Sequence, residues 1–149
     1  MSEHIKKEHN KTLLLFHLVC PARYRQDIFT DEVAQTLREI CQEIQECYEI
    51  YFIEIGTDVN HVHFLIQTVP VMMSRFVQIT KSITARELFA RRPEVKKKLW
   101  GGKFWTSGYY LNTVGRFGNE VVIRNYVKNQ GKIYKQIHRS QLQIFEDLA

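Results

Sequence analysis

The order of strand-like and helix-like segments is the feature of this sequence that most limits its fold. Four short runs have the apolar or alternating character of β-strands, and they span residues 12–20, 49–57, 61–69 and 109–115. Three longer stretches have apolar residues at helical spacing, and they span residues 31–48, 75–91 and 120–130. This order predicts an α+β fold of the ferredoxin-like (split βαβ) kind. It has an antiparallel sheet, helices on one face and a further C-terminal helix.

The length indicates one domain. A chain of 149 residues folds around a single hydrophobic core, so we expect one domain over residues 1–149. Residues 1–11 form a polar N-terminal extension and residues 132–149 a polar C-terminal tail. The tail follows Gly131, which is suited to end the last helix. Its amphipathic pattern favours a short extra helix.

Composition argues against several classes of protein. No apolar run reaches the roughly 18–20 residues that a membrane-spanning helix needs, and the polar N-terminus lacks the apolar part of a signal peptide. The 3 cysteines include no Cys-x-x-Cys pair, so neither a disulfide framework nor a cysteine zinc site is indicated. We therefore expect a cytoplasmic protein. The net charge of +5 favours an anionic partner.

Two histidines begin the third predicted strand, in the sequence Asn60-His61-Val62-His63. Side chains two apart on a strand share a face, so His61 and His63 should lie side by side. Two interpretations are open. The pair is either solvated or hydrogen-bonded at a strand end, or it provides two metal ligands whose separation the strand fixes. We expect His17, in a mainly apolar strand, to be a hydrogen-bonded core residue rather than a further ligand.

The last predicted helix offers a third ligand. Tyr126 and Gln130 are four residues apart and therefore share a helix face. The amide oxygen of Gln130 could ligate a divalent cation, and Tyr126, one turn away, could reach a phosphate bound to that cation. The alternative is that Tyr126 is an ordinary residue of an amphipathic helix.

Basic and aromatic residues occur together in several parts of the chain. The basic residues that we expect to face a nucleic acid are Arg23, Arg25, Lys81, Arg86, Lys103 and Arg116. The aromatic ones between them are Trp100, Phe104 and Trp105. Cations that contact phosphates and rings that stack on unpaired bases are typical of single-strand binding sites. Trp105 is included among the candidate DNA contacts, although these aromatics could equally belong to the core.

Three features together resemble the single-tyrosine HUH transposases of the insertion-sequence 200/605 type (IS200-like transposases). They are His-Val-His on the third strand, the segment KLWGGKFWTSGYYLNTVG, and a tyrosine four residues before a glutamine on the last helix. The resemblance covers about residues 12–131. It implies that His61, His63 and Gln130 hold a divalent metal, magnesium or manganese. It also implies that the C-terminal helix carries the nucleophile, Tyr126.

The resemblance further implies an activity. Such proteins cut and rejoin single-stranded DNA at the hairpin-bearing ends of a mobile element through a 5′-phosphotyrosine intermediate. They work as homodimers whose sheets join, and the tyrosine helix of one subunit completes the site of its partner.

Two other functions remain open from the sequence. A domesticated relative would bind or nick structured single-stranded DNA repeats without mobilising an element. A metal-dependent hydrolase would use the two histidines for zinc, but no further His, Asp or Glu stands at a recognisable spacing.

Overall fold

The computed structural model describes residues 12–58, 60–115 and 134–140. The strands of this part of the chain are β1 (Leu14–Pro21), β2 (Ile50–Asp58), β3 (His61–Thr68), β4 (Tyr110–Gly115) and β5 (Lys135–Arg139). Its α-helices are α1 (Asp31–Cys47), α2 (Phe76–Arg91) and α3 (Pro93–Lys98). Two short 3₁₀ turns occupy Arg23–Arg25 and Pro70–Met72.

The strands form one antiparallel sheet in the order β4-β1-β3-β2-β5. The first four strands have the ferredoxin-like arrangement, and the helices lie on one face, so the predicted α+β fold class is confirmed. The sheet places β3 at its centre, between β1 and β2. A side chain on β3 is therefore held by hydrogen-bonded strands on both sides.

Side chains along β3 point alternately to the core and to the face that carries the candidate site. Val62 and Phe64 are fully buried in the main core cluster, together with Leu37 of α1 and Phe76 of α2. Because neighbouring side chains on a strand point to opposite faces, His61 and His63 face away from this core. The apolar stripe of α1 begins after Thr30, whose hydroxyl accepts a hydrogen bond from the Val33 amide at 3.2 Å. That contact satisfies one of the unpaired amides of the first turn.

The structure corrects the prediction for one part of the C-terminal tail, whereas residues 132–133 and 141–149 lie outside the described residues. Residues 135–139 form β5 and pair with β2 rather than forming a helix. The His138 ring bonds the Phe52 carbonyl oxygen at 3.0 Å, and the Lys135 ammonium pairs with the Asp31 carboxylate. A short amphipathic segment can use either periodicity, and here the edge of β2 supplies backbone partners that favour the strand.

Other predictions fall outside the described residues. The predicted helix at 120–130, with Tyr126 and Gln130, lies there, and so does Arg116. No helix within the described residues is both long enough and apolar enough to cross a membrane.

Candidate metal centre and nucleic-acid surface

The two histidines stand at one end of the central strand. His61 lies opposite Pro21 on β1 and opposite Asp58 on β2. The His61 and His63 rings are 4.9 Å apart between centroids, on the same face of the sheet. The sequence prediction that they lie side by side is therefore confirmed. Whether they hold a metal depends on which ring nitrogens are available.

Each imidazole has its Nδ1 held by a neighbouring side chain. Nδ1 of His63 lies 3.0 Å from Nε2 of His17, and Nδ1 of His61 lies 3.0 Å from Oδ1 of Asn60. Metal-binding histidines usually donate one ring N–H to such a partner, which fixes the tautomer and leaves the other nitrogen for the cation. In both rings the nitrogen left for a cation is Nε2. His17 is buried and hydrogen-bonded as predicted, but it lies on the sheet face of His61 and His63 rather than in the main core cluster.

A carboxylate completes a cluster of three. Three residues each offer one potential ligand atom, and these atoms lie within 4.8 Å of one another: Asp58, His61 and His63. The Oδ2 atom of Asp58 is 3.4 Å from Nε2 of His61. Nε2 of His63 is buried and makes no hydrogen bond to any described residue. A buried nitrogen without a partner, beside a second imidazole and a carboxylate, fits a divalent cation.

Burial keeps the inner imidazoles neutral. Burial, together with the neighbouring His17 and His61 and against the opposing Asp58 carboxylate, lowers the pKa of His63 to about 4. Burial also lowers the pKa of His17 to about 4. A neutral imidazole is the form that binds a metal, so His63 is ready to act as a ligand at neutral pH.

Tyr134, the residue before β5, covers this site from the C-terminal part of the chain. Its hydroxyl donates to Oε2 of Glu54 at 2.7 Å, and its ring meets the His63 ring edge-on with centroids 5.4 Å apart. The ring lies over Gly56, where a β-carbon would overlap it. Burial, followed by the bond to Glu54, raises the pKa of the Tyr134 hydroxyl. The phenol therefore stays protonated, which does not suit a nucleophile.

Sequence reasoning missed Asp58 and the packing role of Tyr134. Asp58 stands three residues before His61 across a tight turn, and that spacing could have suggested it. Tyr134 and Glu54 are 80 positions apart in sequence, and no local pattern links them.

Three of the predicted DNA contacts meet in one groove. A groove of about 710 Å³ runs between α2 and the loop at 102–109, and its lining includes Lys81, Arg86 and Lys103. The Lys81 ammonium donates to the Thr106 carbonyl oxygen at 3.0 Å and lies 5.2 Å from the centre of the Tyr109 ring. Positive charge and exposed aromatic surface thus occur together in this groove.

The remaining predicted contacts are placed differently. Arg23 and Arg25 belong to the 3₁₀ turn that follows β1. Trp105 is 5% exposed, and its indole N–H donates to the Thr84 hydroxyl at 3.0 Å. The Trp105 ring packs in the main core cluster and also lines the groove, so its contact with DNA stays a prediction. Trp100, by contrast, is 70% exposed.

Comparisons with known proteins agree with the fold and identify a family. Residues 10–130 match the profile of the family described as "Transposase IS200 like". The chain is 33% identical over 120 residues to the ISDra2 transposase TnpA of Deinococcus radiodurans, covering 78% of this chain and 84% of that protein. It is 28% identical over 123 residues to the transposase of the insertion sequence IS200 of Salmonella typhimurium, covering 82% and 80% respectively.

A solved structure is similar over most of its length. The crystal structure of a candidate transposase from Deinococcus radiodurans R1 superposes with a TM-score of 0.62 at 28% identity, covering 79% of this chain and 91% of that one. The fold and the histidine cluster thus belong to a DNA-cutting and DNA-joining enzyme, a transposase. The chain is a member of the IS200-like transposase family, as the sequence resemblance implied.

Proposed function

We propose that this transposase cuts and rejoins single-stranded DNA at hairpin-bearing element ends, with Tyr126 as nucleophile and a divalent cation held by His61, His63 and Gln130. The observation that carries the proposal is the pair of Nε2 atoms left available on one face of β3. Asp58 adds an anionic oxygen within reach of both imidazoles, which favours a divalent ion. Magnesium or manganese is the expected cation.

The cation, when bound, supplies positive charge against the non-bridging oxygens of the scissile phosphate. The protein's own contribution is position. His61 and His63 are fixed on a strand with neighbours on both sides, and His17 and Asn60 hold their rings in one orientation. Such fixed ligands would present the phosphorus to an attacking oxygen at a defined angle.

The covalent step conserves the phosphodiester energy. The Tyr126 hydroxyl gives up its proton to solvent as its oxygen forms a bond to phosphorus, the bond from phosphorus to O3′ breaks, and O3′ leaves with its electron pair and takes up a proton from solvent. The products are a 5′-phosphotyrosine and a free 3′-hydroxyl. Attack by another 3′-hydroxyl reverses the chemistry and joins new strands without ATP. Tyr134, although its ring contacts that of His63, is unsuited to this step because its hydroxyl is committed to Glu54.

The described surface suits a nucleic acid and a second copy of the chain. The groove lined by Lys81, Arg86 and Lys103 offers cations for phosphates. β4 is an edge strand of the sheet, with Tyr110 and Leu111 exposed. An exposed strand edge with apolar side chains favours pairing with another chain, which supports a homodimer whose sheets join. We expect it to act in the cytoplasm, where chromosomal DNA becomes single-stranded.

The test is to map a covalent adduct. A single-stranded oligonucleotide from the DNA flanking the gene, incubated with protein and manganese, should give a denaturant-resistant adduct on Tyr126 that carries the 5′ side of the break. Tyr126→Phe removes one oxygen and should abolish the adduct while fold and DNA binding survive. Tyr109→Phe, Tyr110→Phe and Tyr134→Phe are the matched controls. An adduct on any of these three, or normal cleavage by Tyr126→Phe, would refute the proposal.

The DNA flanking the gene also separates transposition from the nicking of dispersed repeats. Hairpins at both ends of a short segment that contains the gene favour a mobile element. Scattered hairpin repeats without such ends would favour a domesticated nuclease.

A further inference from the structure

Two segments of the chain form an exposed aromatic stack next to the candidate metal centre. The rings of Tyr24 and Trp100 are stacked, with centroids 4.8 Å apart and planes inclined by 21°. The Arg23 guanidinium carbon lies 5.0 Å from the centre of the Tyr24 ring. Trp100 is 70% exposed and Tyr24 is 41% exposed. Large aromatic rings normally bury most of their area, so core packing does not explain this stack.

The backbone holds the stack in place at a conformational cost. Tyr24 has a φ of 59° and is the only non-glycine residue with a positive φ among those described. The left-handed region is disfavoured for a residue with a β-carbon, and such outliers occur preferentially at functional sites. On the other side of the stack, Trp100 is followed by Gly101 and Gly102, with φ of 94° and 78°. These are conformations that glycine adopts readily.

The stack lies at the same end of the sheet as the histidines. β1 ends at Pro21, which is opposite His61, and the next residue, Ala22, donates its amide to the Asn60 carbonyl oxygen at 2.8 Å. The Arg23 amide donates to the carbonyl oxygen of Phe104 at 2.7 Å. Tyr24 thus lies three residues after Pro21, the β1 partner of His61, on a hydrogen-bonded corner.

The charge around Trp100 suits a polyanion. Lys96, Lys97 and Lys98 end α3 two residues before it, and Lys103 follows three residues after it. Cations around an exposed ring are the combination that binds single strands, in which bases have free faces. A duplex does not fit as well, because its bases are already stacked on one another.

We propose that the exposed face of Trp100, backed by Tyr24 and Arg23, is a stacking site for one unpaired nucleobase of the DNA strand whose phosphate lies at the histidine cluster. This inference rests on the proposed function and names a base-binding position within it. Trp100 orders the strand beside the scissile phosphate and takes no part in the bond changes.

The test compares strands with and without bases. Affinities for an oligo-dT strand and for an abasic strand of equal length are measured by fluorescence anisotropy in EDTA. Trp100→Ala should weaken binding of oligo-dT about tenfold, within the range for loss of one stacked base, and should leave abasic binding unchanged. Trp100→Phe should recover part of the loss. Tyr48→Ala, an exposed aromatic at the other end of the sheet, is the matched control and should bind both strands like the unmutated protein.

Tyr24→Gly separates binding from folding. Glycine accepts the left-handed backbone, so the free energy of unfolding should hold or rise, while oligo-dT binding falls. Unchanged oligo-dT binding by Trp100→Ala, or an equal loss on the abasic strand, would overturn the stacking site. If the unmutated protein still forms the Tyr126 adduct in that case, the proposed function stands. Conversely, if Trp100→Ala weakens binding of oligo-dT but not of the abasic strand, and no adduct forms on Tyr126, only the cleavage mechanism is refuted.

Discussion

The hydrogen bond between His17 and His63 should control how well the site holds its cation. Nε2 of His17 lies 3.0 Å from Nδ1 of His63, and this contact leaves Nε2 of His63 for the cation. His17→Leu keeps a side chain of similar volume in the strand and removes the acceptor. The buried Nδ1–H of His63 then loses its partner, and nothing fixes the tautomer that ligation needs.

Two magnitudes follow from this geometry. Leaving a buried donor unsatisfied costs about 1–3 kcal/mol, so the free energy of unfolding of His17→Leu should fall by about that amount. Loss of a partner that orients a metal-binding histidine lowers metal affinity about 10–100-fold. Urea denaturation measures the first quantity. Calorimetric titration with manganese, together with cleavage followed against manganese concentration, measures the second.

The matched variant is His17→Gln, whose amide oxygen can accept the same N–H. This variant should recover most of the metal affinity. If His17 only filled space, His17→Leu would instead bind the metal more tightly than His17→Gln. Cleavage by His17→Leu should recover at saturating manganese, because Tyr126 is untouched. If His17→Leu binds manganese as tightly as the unmutated protein, the role assigned to this hydrogen bond is wrong.

Other predictions concern the ligands, the covering tyrosine and the DNA surface. His63→Ala should abolish cleavage in magnesium but leave binding of hairpin DNA largely intact in gel shifts; full cleavage would contradict the metal assignment. Gln130→Ala should reduce cleavage less, because a water can replace a neutral amide, and a loss as severe as that of His63→Ala would contradict this. Gly56→Ala should displace the Tyr134 ring and lower the free energy of unfolding by about 1–3 kcal/mol, whereas Gly108→Ala, with open space around it, should not; equal effects of the two would refute the packing argument. Binding of hairpin-bearing single strands should weaken steeply with salt and exceed that of a perfect duplex; salt-independent binding would exclude the basic groove as the main contact.

Local periodicity in the sequence determined the order of the elements and much of the site. A period of two along residues 61–68 places His61 and His63 on one face, because neighbouring strand side chains must alternate. The spacing of apolar residues in α1 and α2 likewise indicated helices that bury one stripe. The family resemblance came from residues close together in sequence, and the comparisons confirm it. Residues 135–139 were the exception, since five residues are too few to favour either periodicity strongly.

Only the tertiary structure decided which side chains meet across the sheet. Strand register brings His17 to His63 over 46 positions and Tyr134 to Glu54 over 80, and neither pair leaves a local pattern in the sequence. The same holds for Trp100 and Trp105, because the sequence did not indicate which of the two rings would be buried and which exposed. The turn of the backbone at Gly101 and Gly102 leaves Trp100 at the surface, while Trp105 packs in the core. The physical reason is that periodicity fixes the direction of a side chain within its own element, whereas its partners depend on how distant strands pair.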